Sequence, residues 1–232
     1  MVTSNKVSIT SLVQTVLEVN PCMIDSIEKG YANYTRLASI IAEIIKNRYG
    51  VKCSIDAAKM ALLRSKNKVS QGSRLRKIYE IFANSNIEVK TGLSVLTYDT
   101  TVLRDITNVI QELSGKTRFL SVVQSVSNIT IIINKELCEQ VKKSIKATPL
   151  LEVNDTSALI LISPPENVEV PGFIAYLTAV LAIQGVNIIQ IVSSHSDTIV
   201  IVGKQDTAKT FNILEKLIEN SKSMIKNARN IT

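Results

Sequence analysis

From Ile87 onward the sequence runs strand, helix, strand, strand, helix, and then repeats that order, and this doubling limits the possible folds more than any other feature. In the first copy LSVLTY reads as a strand, TVLRDITNVIQELSG as a helix, FLSVVQSV and ITIIIN as a hairpin, and KELCEQVKKSIKA as a second helix. In the second copy ALILIS, PGFIAYLTAVLAIQG, VNIIQIV with TIVIVG, and DTAKTFNILEKLIENS take the same places. Gly115 and Gly185 close the first helix of each copy 70 residues apart, and the third strands keep that spacing. This order predicts a ferredoxin-like (βαββαβ) fold, in which an antiparallel four-stranded sheet carries both helices on one face. A strong fourth strand is missing from the second copy, because SMIKNARNIT, which closes the chain, reads poorly as β.

The stretch VPGFIAYLTAVLAIQGVNIIQIV is almost wholly apolar and invites a membrane reading. Pro171-Gly172 starts a helix there, Gly185 ends it and a strand follows. The helix is about 13 residues, short of the roughly 20 that span a bilayer. Hydrophobic residues make up 45% of the 232, aromatics 4%, and Trp is absent, so the core is expected to be aliphatic.

The first third is different. Ile9, Leu12, Val13, Val16 and Leu17 form the stripe of an amphipathic helix that stops at Asn20-Pro21. Asn20 is expected to cap a short second helix through Met23, Ile24 and Ile27 to Gly30. Asn33 caps a third, with Leu37, Ile40, Ile41, Ile44 and Ile45, ending at Tyr49-Gly50, and Ser54 caps a fourth, IDAAKMALLRS, with Ile55, Ala58, Ala61 and Leu62 inward. Leu75, Ile78, Tyr79 and Phe82 mark a further connecting helix. Residues 1–86 hold 13 Lys and Arg against 6 Asp and Glu, whereas the remainder is balanced at 14 each, so the whole net charge of +7 lies in this third. Between Arg64 and Lys77 six basic residues meet no acidic one, which favours a polyanion-binding face over a merely solvated surface.

LASIIAEIIKNRYGVKCSIDAAKMALLRS resembles the helix-turn-helix of many small transcription regulators, with Leu-Ala opening the support helix, Gly near the turn and Ser before the recognition helix. That resemblance implies double-stranded DNA as a partner. Ser54, Asp56, Lys59 and Arg64 would lie on the exposed face, and Lys66, Lys68, Arg74 and Arg76 would grip phosphates around the loop SKNKVSQGS.

ALILIS, then VPG, an apolar helix, GVNI and two apolar strands across residues 158–218 resemble an ACT domain, the small regulatory module of many amino-acid biosynthetic enzymes. ACT domains typically bind amino acids or similar metabolites where two such domains meet. Carried over, the resemblance implies a site at Pro171 and Gly172 with the loop before them, closed by Asn187, Ile188 and Ile189 of the same or a paired domain. Glu169 or Glu166 of that loop would meet an α-amino group, or only decorate a solvated loop. The first copy lacks Pro-Gly and Asn-Ile, which suits a scaffold more than a reader.

Cys22, Cys53 and Cys138 show no zinc spacing, and the start MVTSNKVSIT has no signal-peptide core, so reduced thiols in a cytoplasm are expected. No phosphate-loop, dinucleotide, zinc-protease or nucleophile-elbow motif occurs. His195 is the single histidine, and its neighbours on a hairpin turn, Ser194, Ser196 and Asp197, are too close in sequence to converge as a triad. No cofactor and no catalytic activity are expected.

The expected α+β architecture is therefore an all-α helix-turn-helix domain (1–86), a degenerate ACT-like unit (87–154) and an ACT domain (155–232). Its expected role is an amino-acid-sensing, DNA-binding regulator, dimeric or larger, resembling predicted archaeal ACT-containing regulators of amino-acid metabolism. The alternative is a regulatory subunit or interaction module of a biosynthetic enzyme that does not bind DNA.

Overall fold

A computed structural model of the protein describes residues 8–28, 30–66, 72–113 and 115–229. The chain divides into two compact units, Met1–Leu75 and Arg76–Thr232. The expected boundary at residue 86 therefore falls later than the structural one, for a reason that lies in helix packing.

In the first unit, helices α1 (Ile9–Glu18), α2 (Pro21–Glu28), α3 (Tyr34–Tyr49) and α4 (Ile55–Lys66) surround a core that includes Leu12, Val16, Ile41, Ile45, Ala58 and Leu62. Ser8 accepts a hydrogen bond from the Ser11 amide, Asn33 from the Arg36 amide and Ser54 from the Ala57 amide, each satisfying an amide that a helix start leaves without a partner. Gly50 closes α3 in the left-handed region at φ 67°. Two expectations change. The Asn20 side chain turns back to donate to the Val16 carbonyl at 2.6 Å, closing α1 rather than capping α2. Ile55 is 45% exposed, because the inward arc of α4 is filled by Ala58, Ala61 and Leu62.

In the second unit, α5 (Gly72–Ala83) leads into a six-stranded antiparallel sheet. The strands are β1 (Asn86–Asp99), β2 (Leu120–Gln124), β3 (Asn128–Asn134), β4 (Leu151–Ile162), β5 (Ile188–Ser194) and β6 (Asp197–Gly203), in the order β2-β3-β1-β4-β6-β5. Helices α6 (Leu103–Leu113), α7 (Cys138–Ser144), α8 (Phe173–Ile183) and α9 (Thr207–Arg229) complete both copies of the repeat. From Arg76 onward α5 belongs to this unit: Ile78, Ile81 and Phe82 are buried against Phe173, Leu177 and Leu181, with the Phe82 and Phe173 rings 4.8 Å apart. That packing moves the boundary.

The sheet is one rather than two. β1 and β4 are each long enough to serve both copies. The second half of β1 pairs with β3, from Leu93 opposite Asn134 to Asp99 opposite Asn128. Its first half, Asn86 to Lys90, pairs only with Ile162 to Ala158 of β4. Reciprocally, β4 begins opposite Thr97, Leu96 and Val95 and ends opposite β6. Each copy thus takes its fourth strand from the first strand of the other. This answers the missing strand after residue 221, where α9 continues to Arg229. Both long strands break register where they change allegiance, with Gly92 at φ 71° and Asp155 at φ 54°, as a bulge requires.

Side chains alternate across the pleat. Leu96, Tyr98, Ile129 and Ile131 face α6 and α7, and Leu159, Leu161, Val200 and Val202 face α5, α8 and α9. Leu93, Val95, Ile132, Ala158, Ile160 and Ile201 form a separate buried cluster to which, among the described residues, no helix contributes.

Candidate ligand site

The loop between β4 and α8 is fixed at several points. The Ser163 amide donates to the Ser196 carbonyl at 2.8 Å, and the Asn167 side-chain amide reaches the same oxygen at 3.5 Å. Ser85, at the end of α5, donates its hydroxyl to the Ser163 hydroxyl at 2.9 Å. Residues Pro165–Glu169 coil into a short 3-10 turn, and Gly172 caps α8 from the left-handed region at φ 92°. No side chain caps α8; the Phe173 amide donates to the Val170 carbonyl at 3.3 Å, which leaves the Ile174 and Ala175 amides of the first turn as donors for an anion.

Two cavities flank Val170. The smaller, about 210 Å3, is lined by Asn167, Val168, Val170, Gly172, Phe173, Ile174, Ala175 and Ser193, and the α8 N-terminus opens on it. The larger, about 370 Å3, is lined by Lys77, Glu80, Ile81, Asn84, Pro164, Glu166, Glu169 and Val170. Three carboxylates and one ammonium line the larger cavity, with Glu80 engaged by Arg76 at 3.0 Å. The pair of cavities therefore offers helix amides on one side and an acidic lining on the other, a division that suits a zwitterion.

The sequence-derived residues separate into two groups. Glu169 lines the larger cavity, Gly172 lines the smaller, and Pro171 lies between them in the chain. Ile188 and Ile189 lie at the opposite end of β5 from Ser193 and Asn187 just before it, roughly 13–20 Å away at the ordinary rise of a strand. Ile188 packs with the helix-side core and Ile189 with the other face. Neither of the two cavities beside this loop is lined by Asn187, Ile188 or Ile189. Sequence reasoning missed Lys77, Glu80 and Asn84, since nothing local tells that α5 runs beside this loop. Asn167 was legible in principle as a polar residue in an otherwise exposed loop, yet it is buried and fastens the loop to the β5-β6 hairpin.

These elements lie within a recognisable module. Residues 152–216 match the ACT domain family. The matched segment runs from β4 into α9, so it contains the loop, α8 and the β5-β6 hairpin. Among solved structures, the regulatory subunit of aspartate kinase from Thermus flavus is 9% identical with a TM-score of 0.47, covering 56% of this chain and 95% of its own. The regulatory subunit from Thermus thermophilus is 11% identical with a TM-score of 0.45, covering 56% and 95%. Aspartate kinase from Clostridium acetobutylicum is 16% identical with a TM-score of 0.49, covering 58% of this chain and 34% of its own. No curated protein sequence matches the chain.

The residues expected to contact DNA are divided between the two units. Ser54 spends its hydroxyl as the cap of α4, and Lys59 donates to the Thr35 hydroxyl at 2.9 Å. Asp56 and Arg64 are exposed. Lys68 lies outside the described residues, as do the side chains of Lys66 and Arg74. Arg76 belongs to the second unit and pairs with Glu80. Beside Asp56 and Arg64, α4 also exposes Ile55, Met60 and Leu63, by 45%, 52% and 40%. Among the described residues no helix is long and apolar enough to cross a membrane, and no cluster of His, Cys, Asp and Glu could hold a metal ion. His195 is exposed on its turn at φ 50°.

Proposed function

We propose that this chain is an amino-acid-responsive regulatory protein that acts on a protein partner and catalyses nothing itself. The supporting observation is the uncapped N-terminus of α8, opening on a cavity beside Glu169 and Glu166 inside the segment matched to the ACT family. The helix amides receive the effector carboxylate, and a loop glutamate receives its ammonium group. Asn187 and Ile188 join the site from a second copy, which makes the binding-competent form a homo-oligomer. The helical unit is the docking piece, and the exposed Ile55, Met60 and Leu63 of α4 support that role.

A thermal-shift panel of the twenty L-amino acids on the full chain is the test. An effector at 100 times its dissociation constant adds about 2.7 kcal/mol of stability. Glu169→Gln and Glu166→Gln together are expected to weaken that effector about tenfold, and an unshifted response in the double variant would move the site elsewhere.

The second reading is a DNA-binding regulator, favoured by the basic excess of residues 1–86 and by the helix pair α3-α4 with its Gly50 turn and Ser54 cap. The two readings part on salt. Retention of the chain on duplex DNA that falls steeply with added salt selects the regulator, and an enzyme co-purifying in its place selects the docking module.

A further inference from the structure

The two copies of the repeat share a backbone frame but differ in side chains at the places where the long strands change allegiance, and the difference outlines a second site. The pairing Leu93 opposite Asn134 in one copy corresponds to Thr156 opposite Gly203 in the other. Gly92 thus corresponds to Asp155, Thr91 to Asn154, Lys204 to Lys135, Ser157 to Ser94, and Thr207, which opens α9, to Cys138, which opens α7. The correspondence extends to conformation, since Gly92 and Asp155 are both left-handed.

In the first copy this corner is filled. Lys135 donates to Asp155 at 2.8 Å, and Ser94 donates to Asn154 at 2.6 Å. In the second copy Asp155 is replaced by Gly92 and Asn154 by the shorter Thr91. Lys204 makes no ion pair among the described residues, and a cavity of about 370 Å3 lies at the corner, lined by Thr91, Gly92, Asp155, Thr156, Lys204 and Thr207 among others. A Cβ built on Gly92 would meet nothing within 4 Å, so the space adjoins the place where an aspartate side chain would stand. Ser157 and Thr207 hold each other at 2.8 Å, and Thr156 donates to the Leu93 carbonyl at 3.0 Å, so the cavity wall is itself hydrogen-bonded.

We propose that this corner binds a small carboxylate, whose charged group takes beside Lys204 the position that the Asp155 carboxylate takes beside Lys135. Two lysines and one aspartate leave one positive charge for the ligand to neutralise. The cavity falls within the range of sites that hold small molecules. The site is separate from the loop before α8 and does not depend on it. Ligand bound here bridges the two long strands at their bulges and so stabilises the exchanged arrangement as a whole.

The test uses the full chain with acetate, glycine, L-aspartate and inorganic phosphate as probes, read by thermal shift and isothermal calorimetry. At least one carboxylate is expected to raise the melting temperature. Lys204→Met is expected to weaken it by about tenfold, the usual consequence of losing one charged hydrogen bond. Gly92→Asp supplies the carboxylate in the chain: it is expected to abolish the carboxylate response, with an ion pair to Lys204 offsetting part of the cost of a left-handed aspartate. Glu169→Gln, at the loop before α8, is expected to leave this response intact, which separates failure here from failure of the effector site. A carboxylate response that survives Lys204→Met overturns the proposal even if the glycine variant does not fold. So does a response to phosphate alone, or none to any carboxylate.

Discussion

Gly172 adopts φ 92° with its nearest neighbour, the Ile78 Cδ1 atom, 3.6 Å from where a Cβ would stand, so space is available there but the backbone conformation is not. Gly172→Ala is accordingly expected to cost roughly 1–2 kcal/mol through the left-handed backbone alone, visible as a lowered midpoint in urea. Thr210 presents the opposite case. Its hydroxyl is buried with no hydrogen-bond partner among the described residues, and the corresponding position in the first copy is Val141. Thr210→Val removes that desolvated hydroxyl, and a gain of about 1 kcal/mol is expected in the same measurement. Asp155 tests electrostatics. A hydrogen bond from Lys135, reinforced by its charge, holds the Asp155 carboxyl below the usual aspartate range. A lowered folded-state value contributes stability above the unfolded value and loses it as pH falls through the folded one. Asp155→Asn is therefore expected to narrow its deficit against the parent protein below about pH 4, with the contribution small because both side chains are about half exposed.

At the level of elements, the sequence revealed what is periodic and local. The stripes of α1 and α3, the caps Asn33 and Ser54, and the strand-helix order from residue 93 on were all legible, since spacing and cap chemistry act over a few residues. The first half of β1 and the first turns of β4 were not. Asn86 to Lys90 and Leu151 to Asp155 carry mixed polar and apolar residues, and their strand character comes from pairing with each other across the sheet. The same limit hid where α5 packs: Leu75, Ile78, Tyr79 and Phe82 were legible as a connecting helix, but not that Phe82 is fully buried against Phe173. Phe82→Ala is expected to destabilise the second unit by about 3–5 kcal/mol, more than any substitution on the exposed face of that helix. At the candidate site the Pro-Gly start of α8 was legible, whereas the lining from α5 was not, because only tertiary packing places it there. Asn187 was read from family pattern, and its distance along β5 follows from strand length.

For the whole molecule, exchange of strands ties the two copies of the repeat into one sheet. A fragment starting at Leu150 keeps β4, β5, β6, α8 and α9, but it loses Asn86 to Lys90 and with them Ile87 and Val89, which pack against the core beneath α9. Such a fragment is expected to show no cooperative thermal transition in circular dichroism, whereas residues 76–232 are expected to melt in one step. Two separable melting transitions within 76–232 would mean that the copies are independent.

The long first strand also has a timetable. Asn86 leaves the ribosome about 75 residues ahead of its partner Ile162, a wait of about 4–15 seconds at ordinary elongation rates. Through that interval the nascent chain carries a half-strand with nothing to pair with, beside a copy whose fourth strand has yet to be made. Anything that slows translation between β3 and β4 lengthens this exposure, so the yield of native protein should depend on synthesis speed across that stretch as well as on the stability of the finished sheet.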